Sequence, residues 1–188
     1  MVARLTSSRD NSPSTRASST IAAWRQWRDE DERQARALGA ELRAVVERER
    51  WPELTVAERG YCVEAARRQL HKRLGLVRET LLEWNDSDDP GLSYDEKTGA
   101  VHLPRHHLNA DYPLALVGGL AEELRHAWQF DVIEDRLEHP LGRIGKERLA
   151  AAYAGYNAAD PAAYSASELE MDAKDFAADV AAGFGGDV

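Results

Sequence analysis

The chain has 188 residues, of which 33 are acidic and 24 are basic, and its net charge is -9. This length suits one domain with a hydrophobic core, and the negative charge argues against a nucleic-acid partner. The single cysteine, Cys62, excludes an internal disulfide and zinc sites built from four cysteines or from two cysteines and two histidines.

No apolar stretch reaches the length of a membrane span, and the N-terminus lacks the apolar core of a secretory signal. We therefore expect no membrane partner and a cytoplasmic location, with signal-independent export as the alternative. Abundant Ala and Arg beside few Lys residues suit a bacterial source.

Both ends of the chain have compositions that do not build a core. Residues 1–19 are rich in Ser, Thr, Asn and Pro, which predicts a disordered tail, and residues 183–188 form a Gly-rich C-terminal tail. Residues 20–182 should therefore form a single domain. It divides into a helical N-terminal part, residues 20–76, and a second part, residues 77–182, that carries the motif described below.

The N-terminal part is predicted to contain two helices. An apolar residue recurs every three or four positions from Ile21 to about Arg50, which is typical of a long amphipathic helix. Thr55 and Glu58 have the spacing of a capping box at the start of a second helix, and Gly75 follows its end. Neither helix carries a recognisable chemical motif.

In the second part, the sequence pattern is first typical of strands and then typical of helices. Residues 77–84 favour a strand, and residues 92–103 favour a hairpin with its turn at 96–99. A strongly apolar helix follows over about residues 114–130, and two further helices are expected after it. The predicted fold class is α+β, with helices before and after one small sheet.

The apolar helix contains the chemically informative residues of the chain. Glu122 and His126 are four residues apart and so lie on one face, with Gln129 one turn further on. A carboxylate and an imidazole in a largely buried helix are unfavourable unless a partner satisfies them. A metal ion would be such a partner.

The segment from Ala121 to Gln129 resembles the H-E-L-R-H-A-x-Q form of the HExxH helix of the zincin metallopeptidases. The order of strand, turn, strand, loop and motif helix is also theirs. The segment around Glu170 is similar to the downstream ligand segment of small bacterial gluzincin-like domains. The resemblance covers residues 77–182 and implies a zincin-like fold. It further implies a metal-dependent peptidase acting on a peptide or protein, with metal-activated water, Glu123 as general base, and one divalent ion held by Glu122, His126 and Glu170.

The chain departs from the zincin pattern at its first histidine, which is Glu122 here. A carboxylate is an ordinary zinc ligand, but a Glu/His/Glu set places two negative charges on the ion instead of one. The ion becomes a weaker Lewis acid, and harder metals are favoured. Zinc is still the first expectation, and manganese and iron are therefore its alternatives. Hydrolysis should be slower than at an intact HExxH site.

Several alternatives share the same residues. The chain could be an inactive zincin-like module that binds or regulates, or a non-hydrolytic metalloenzyme that uses the Glu/His/Glu site. Glu122 and Glu123 could instead be surface charges paired with Arg125, with His126 in the core. Glu123 and His126 also have the E-x-x-H spacing of di-iron bundles, but that fold needs a second such motif, which the sequence lacks.

A few residues outside the motif are weaker candidates. His106 and His107, in a predicted loop before the motif helix, could supply a ligand or bind substrate. Cys62 is expected to be a buried structural thiol. Three tyrosines flank the inferred cleft, where one could stabilise an oxyanion: Tyr153, Tyr156 and Tyr164.

Overall fold

The computed structural model describes residues 13–88, 91–155 and 167–185. Its helices are α1 (Pro13–Val45), α2 (Val56–Leu74), α3 (Leu114–Ile133), α4 (Gly142–Ala154) and α5 (Glu168–Gly185). Its strands are β1 (Leu81–Asn85), β2 (Ser93–Asp95) and β3 (Ala100–Pro104), and two 3₁₀ helices span Arg48–Glu53 and Arg105–Asn109. Helices and one small sheet together confirm the α+β class. Within the described ranges, no helix is both long and apolar enough to cross a bilayer.

The regular structure extends into both segments that the sequence predicts as tails. Helix α1 begins at Pro13, and residues 1–12 lie outside the described residues. Helix α5 continues to Gly185, before residues 186–188, which are also outside them. The last turn of α5 is held by two arginines, since Arg43 and Arg48 donate to the carbonyl oxygen of Phe184 at 2.6 and 3.2 Å. Composition alone does not reveal these long-range contacts.

The predicted capping box at the start of α2 is confirmed. The Thr55 hydroxyl accepts from the backbone N–H of Glu58, and the Glu58 carboxylate accepts from the backbone N–H of Thr55. Gly75 ends the helix with a φ of 68°, a conformation that glycine adopts without steric strain.

The sheet has the strand order β1-β3-β2, with β1 parallel and β2 antiparallel to β3. The predicted hairpin of β2 and β3 is confirmed, and β2 is an edge strand. The strand β1 begins at Leu81, later than the predicted position 77. The reason is that the N–H of Val77 donates to the Asp131 side chain of α3 at 2.9 Å, so this stretch binds the helix.

Helix α5 packs against both α1 and α3, and this contact brings distant parts of the chain together. Two glycines make the crossing of α1 and α5 close. A Cβ added at Gly39 would collide with the carbonyl of Val180, and one added at Gly183 would collide with the carbonyl of Arg36. Larger residues would push α5 away from α1 and would move the residues that α5 presents to α3.

A buried histidine, His139, packs among tryptophans just before α4. It is 4% exposed, and its ring centroid lies 5.7, 4.9 and 5.4 Å from those of Trp24, Trp27 and Trp128. Its Nδ1 accepts from the backbone N–H of Leu141 at 3.0 Å. Burial, assisted by nearby positive charge, lowers the pKa of His139 to about 4.

This histidine should make the protein less stable in acid. The unfolded chain binds a proton at His139 near the ordinary pKa of 6.5, whereas the folded protein binds it only near pH 4. The neutral histidine therefore contributes its full share to the free energy of unfolding above pH 6.5, and this share is lost as the pH falls toward 4. We expect a loss of roughly 2–3 kcal/mol by pH 4.5. Urea denaturation at pH 7.5 and 4.5 measures it, and His139→Asn should show a smaller difference. Equal differences in the two proteins would contradict the assignment.

Candidate metal centre

Helix α3 presents three candidate residues on the side that faces β2 and α5. Most of its apolar residues are buried, and Leu120 and Leu124 are fully buried in the core. The helix contacts α2, α4 and α5 as well as the sheet, so its polar side chains must find partners within the protein. Glu123 accepts from the backbone N–H of Tyr94 in β2, and His126 faces Gln129 of its own helix and Glu170 of α5.

The residues predicted as metal ligands, Glu122, His126 and Glu170, lie together. One potential ligand atom from each lies within 4.8 Å of the other two. The Nε2 atom of His126 is 3.5 Å from Oε1 of Glu170, and Glu170 is 2% exposed. Burial raises the pKa of Glu122, against the influence of His126. The cluster could hold a metal ion, because such atoms converge on one point from two helices.

Gln129 fixes the orientation of the His126 ring. Its side-chain Nε2 donates to the carbonyl of Leu169 at 3.0 Å and to Oδ2 of Asp172 at 2.9 Å. Its Oε1 therefore faces Nδ1 of His126, at 3.0 Å. Because Nδ1 donates the proton of this hydrogen bond, Nε2 of the neutral ring turns a lone pair toward Glu170. This is the tautomer that a metal ligand coordinating through Nε2 requires.

A buried ion-pair cluster holds Asp172, the residue that accepts a hydrogen bond from Gln129. Arg125 is 2% exposed and donates to Asp172 at 2.9 and 3.1 Å and to Asp31 of α1 at 3.2 and 2.9 Å. Its guanidinium also lies 4.2 Å from the Trp128 ring centroid. The alternative in which Arg125 pairs with surface glutamates of its own helix is therefore wrong. The side chain turns inward, where two aspartates and three aromatic rings surround it.

Glu123 is buried on the side of α3 next to the edge strand. The backbone N–H of Tyr94 in β2 binds its carboxylate and lowers its pKa, but burial and the neighbouring Glu122 outweigh this contact. The pKa of Glu123 rises to about 8. A carboxyl group with this pKa takes up and releases protons near neutral pH.

A cavity of about 600 Å³ opens beside the cluster. Glu123, His126 and Glu170 line it on one side, and β2 with the following turn lines the other. Apolar and aromatic side chains form the rest of its wall, namely Leu92, Tyr94, Phe130, Tyr153 and Leu169. The Tyr153 hydroxyl donates to the Glu96 carboxylate at 3.1 Å.

The remaining candidates lie elsewhere or outside the described residues. His106 and His107 belong to the second 3₁₀ helix, where their rings stack at a centroid distance of 4.6 Å. Neither is part of the Glu/His/Glu cluster or of the cavity wall. Cys62 is buried, as predicted, and burial raises its pKa. Tyr156 and Tyr164 fall outside the described residues.

Comparison of the chain with models of protein families, with curated proteins and with solved structures finds no match in any of the three. The resemblance to the zincins therefore rests on the motif residues of the sequence alone, and the structure contributes the geometry of those residues. That geometry comprises a Glu/His/Glu cluster within metal-binding distance in a mostly helical α+β chain.

Proposed function

We propose that the protein is a metal-dependent hydrolase of the zincin metallopeptidase type, in which Glu122, His126 and Glu170 bind one divalent ion. One distance carries the proposal. Two ligand atoms at about 2.1 Å from an ion in tetrahedral geometry are about 3.4 Å apart, and His126 Nε2 and Glu170 Oε1 are 3.5 Å apart. This separation exceeds an ordinary N–H···O hydrogen bond. It suits two ligands with an ion between them.

Glu123 is the general base in this proposal. A divalent ion at the cluster would polarise a water molecule, which is the chemistry that the metal supplies. Glu123 lines the same cavity as His126 and Glu170, and the Tyr94 N–H holds its carboxylate in place. Positive charge at the cluster would favour the ionised form of Glu123, the form that accepts a proton.

A peptide or protein is the substrate class that the surroundings of the cluster favour. The edge strand β2 lines the cavity, and extended peptides bind proteins by lying along edge strands. The aromatic side chains Tyr94, Phe130 and Tyr153 offer apolar surface to a substrate side chain.

Zinc is the first expectation for the ion. Manganese and iron are the alternatives, because two carboxylates and one imidazole form a harder ligand set than two imidazoles and one carboxylate. The inactive binding module and the non-hydrolytic metalloenzyme remain the alternatives. The inactive binding module would catalyse no reaction. The non-hydrolytic metalloenzyme would bind metal and catalyse a reaction other than peptide hydrolysis.

Metal content tests the proposal most directly. Protein purified without added metal and then loaded with zinc or manganese should hold one ion per chain, measured by mass spectrometry. His126→Ala should hold none, because one of the three ligands is lost. His106→Ala is the matched control and should hold one ion, since His106 lies outside the cluster. Equal metal content in wild type and His126→Ala would contradict the proposal.

A further inference from the structure

The Glu170 carboxylate divides its two oxygens between two neighbours. Oε1 faces His126 Nε2 at 3.5 Å, and Oε2 faces Nζ of Lys174 at 3.4 Å. Lys174 follows Glu170 by one turn of α5, so the helix itself sets their spacing. One oxygen is thus directed at the cluster and the other at a cation.

This contact differs from the usual ion pair on a helix surface. Ordinary i,i+4 pairs join two exposed side chains and contribute a few tenths of a kcal/mol. Here the Glu170 side chain is 3% exposed, while Lys174 is 47% exposed. The charge of Lys174 thus lies against a buried carboxylate of the cluster.

The charge of the ligand set shows what a cation would contribute at this position. Glu122 and Glu170 carry two negative charges, and with a neutral His126 they cancel the charge of a divalent ion completely. Two imidazoles and one carboxylate would leave one positive charge on the same centre. The ammonium group of Lys174 supplies one positive charge and lies against a ligand carboxylate.

We propose that Lys174 is the charge-compensating residue of the metal centre. Its ammonium group holds Oε2 of Glu170 and supplies one positive charge. The centre lacks this charge because Glu122 stands where the zincin pattern has a histidine. The inference rests on the proposed function, since it assigns a role relative to the ion. Lys174 is a positioning residue, which acts on the ion through Glu170 and does not ligate.

The proposal predicts the direction of a change in metal affinity. A positive charge close to the cluster repels a bound cation and draws electron density from the Glu170 carboxylate. Removing this charge should strengthen binding, and about tenfold is a reasonable size for a half-exposed group near a divalent ion. A role confined to stabilising α5 would lower the melting temperature slightly and leave the dissociation constant unchanged.

The test compares four proteins by competition of Zn²⁺ and Mn²⁺ against a chromophoric chelator. Lys174→Met keeps the aliphatic stem and removes the charge, and it should bind both ions about tenfold more tightly than wild type. Lys174→Arg keeps the charge and should stay close to wild type. Lys72→Met removes the same charge from an exposed position in the last turn of α2, and it should also leave affinity unchanged. Circular dichroism verifies that each variant is folded.

The outcomes separate this inference from the proposed function. If wild type binds neither ion, the metal site itself fails and the role of Lys174 fails with it. If wild type binds but Lys174→Met has the same affinity, only the charge-compensation proposal is overturned. An equal gain in Lys72→Met would also overturn it, because the effect would then reflect net charge and not position.

Discussion

Replacing Glu123 by glutamine should lower hydrolysis by about two to four orders of magnitude, which is the usual contribution of a positioned acid–base group. The amide keeps the size of the side chain and can still accept from the Tyr94 N–H, but it cannot take up a proton. Metal content should not change, since Glu123 is not among the three residues of the cluster. Cleavage of a peptide library or of casein by the metal-loaded protein measures the effect.

The control for this substitution is Glu134→Gln, which makes the same chemical change at an exposed residue that follows α3. Its activity should equal that of wild type. If Glu123→Gln loses its metal, the side chain supports the ion and the general-base role is wrong. If metal-loaded wild type cleaves none of the peptides, the protein is better described as a binding module or a non-hydrolytic metalloenzyme.

The parts of the fold that the sequence predicts well depend on short-range rules. The capping box of Thr55 and Glu58 and the hairpin of β2 and β3 involve residues close in sequence, and their patterns are local. The pairing of Glu122 with His126 follows from helix geometry alone. The proximity of Glu170 to them came from the zincin resemblance, since no local rule connects residues of different helices that are more than forty positions apart in sequence.

The features that sequence reasoning missed are all made by distant contacts. Asp31 and Arg125 are separated by 94 positions, and Arg125 and Asp172 by 47. An arginine beside two glutamates in a helix suggests a surface pair, and no sequence signal indicates that Arg125 turns inward. The predicted start of β1 at Val77 was wrong for a similar reason, because the N–H of Val77 donates to the side chain of Asp131 on α3.

Removing the charge of Arg125 should have the largest effect on stability in this protein. Arg125→Met fills a similar volume but removes the buried cation that Asp31 and Asp172 share, and the half-exposed Arg28, 3.3 Å from Asp172, is left to face both carboxylates. Breaking a buried ion pair by deleting one partner destabilises proteins by about 3–5 kcal/mol, and urea denaturation should show a loss of this size. Arg33→Met is the control, because Arg33 pairs with Glu30 in an exposed position and should change stability by less than about 1 kcal/mol.

A combined variant distinguishes lost charge from lost packing. If the loss comes from uncompensated carboxylates, adding Asp31→Asn to Arg125→Met should restore part of the stability, because one stranded charge is removed. If the loss comes from the contact of the guanidinium with the Trp128 ring, the second substitution should restore nothing. Metal affinity should fall in Arg125→Met as well, because Asp172 then loses its two hydrogen bonds from Arg125 and keeps the longer contact with Arg28. Asp172 accepts from Gln129, and Gln129 orients the His126 ring. Unchanged affinity would mean that Gln129 keeps its position without the contact between Asp172 and Arg125.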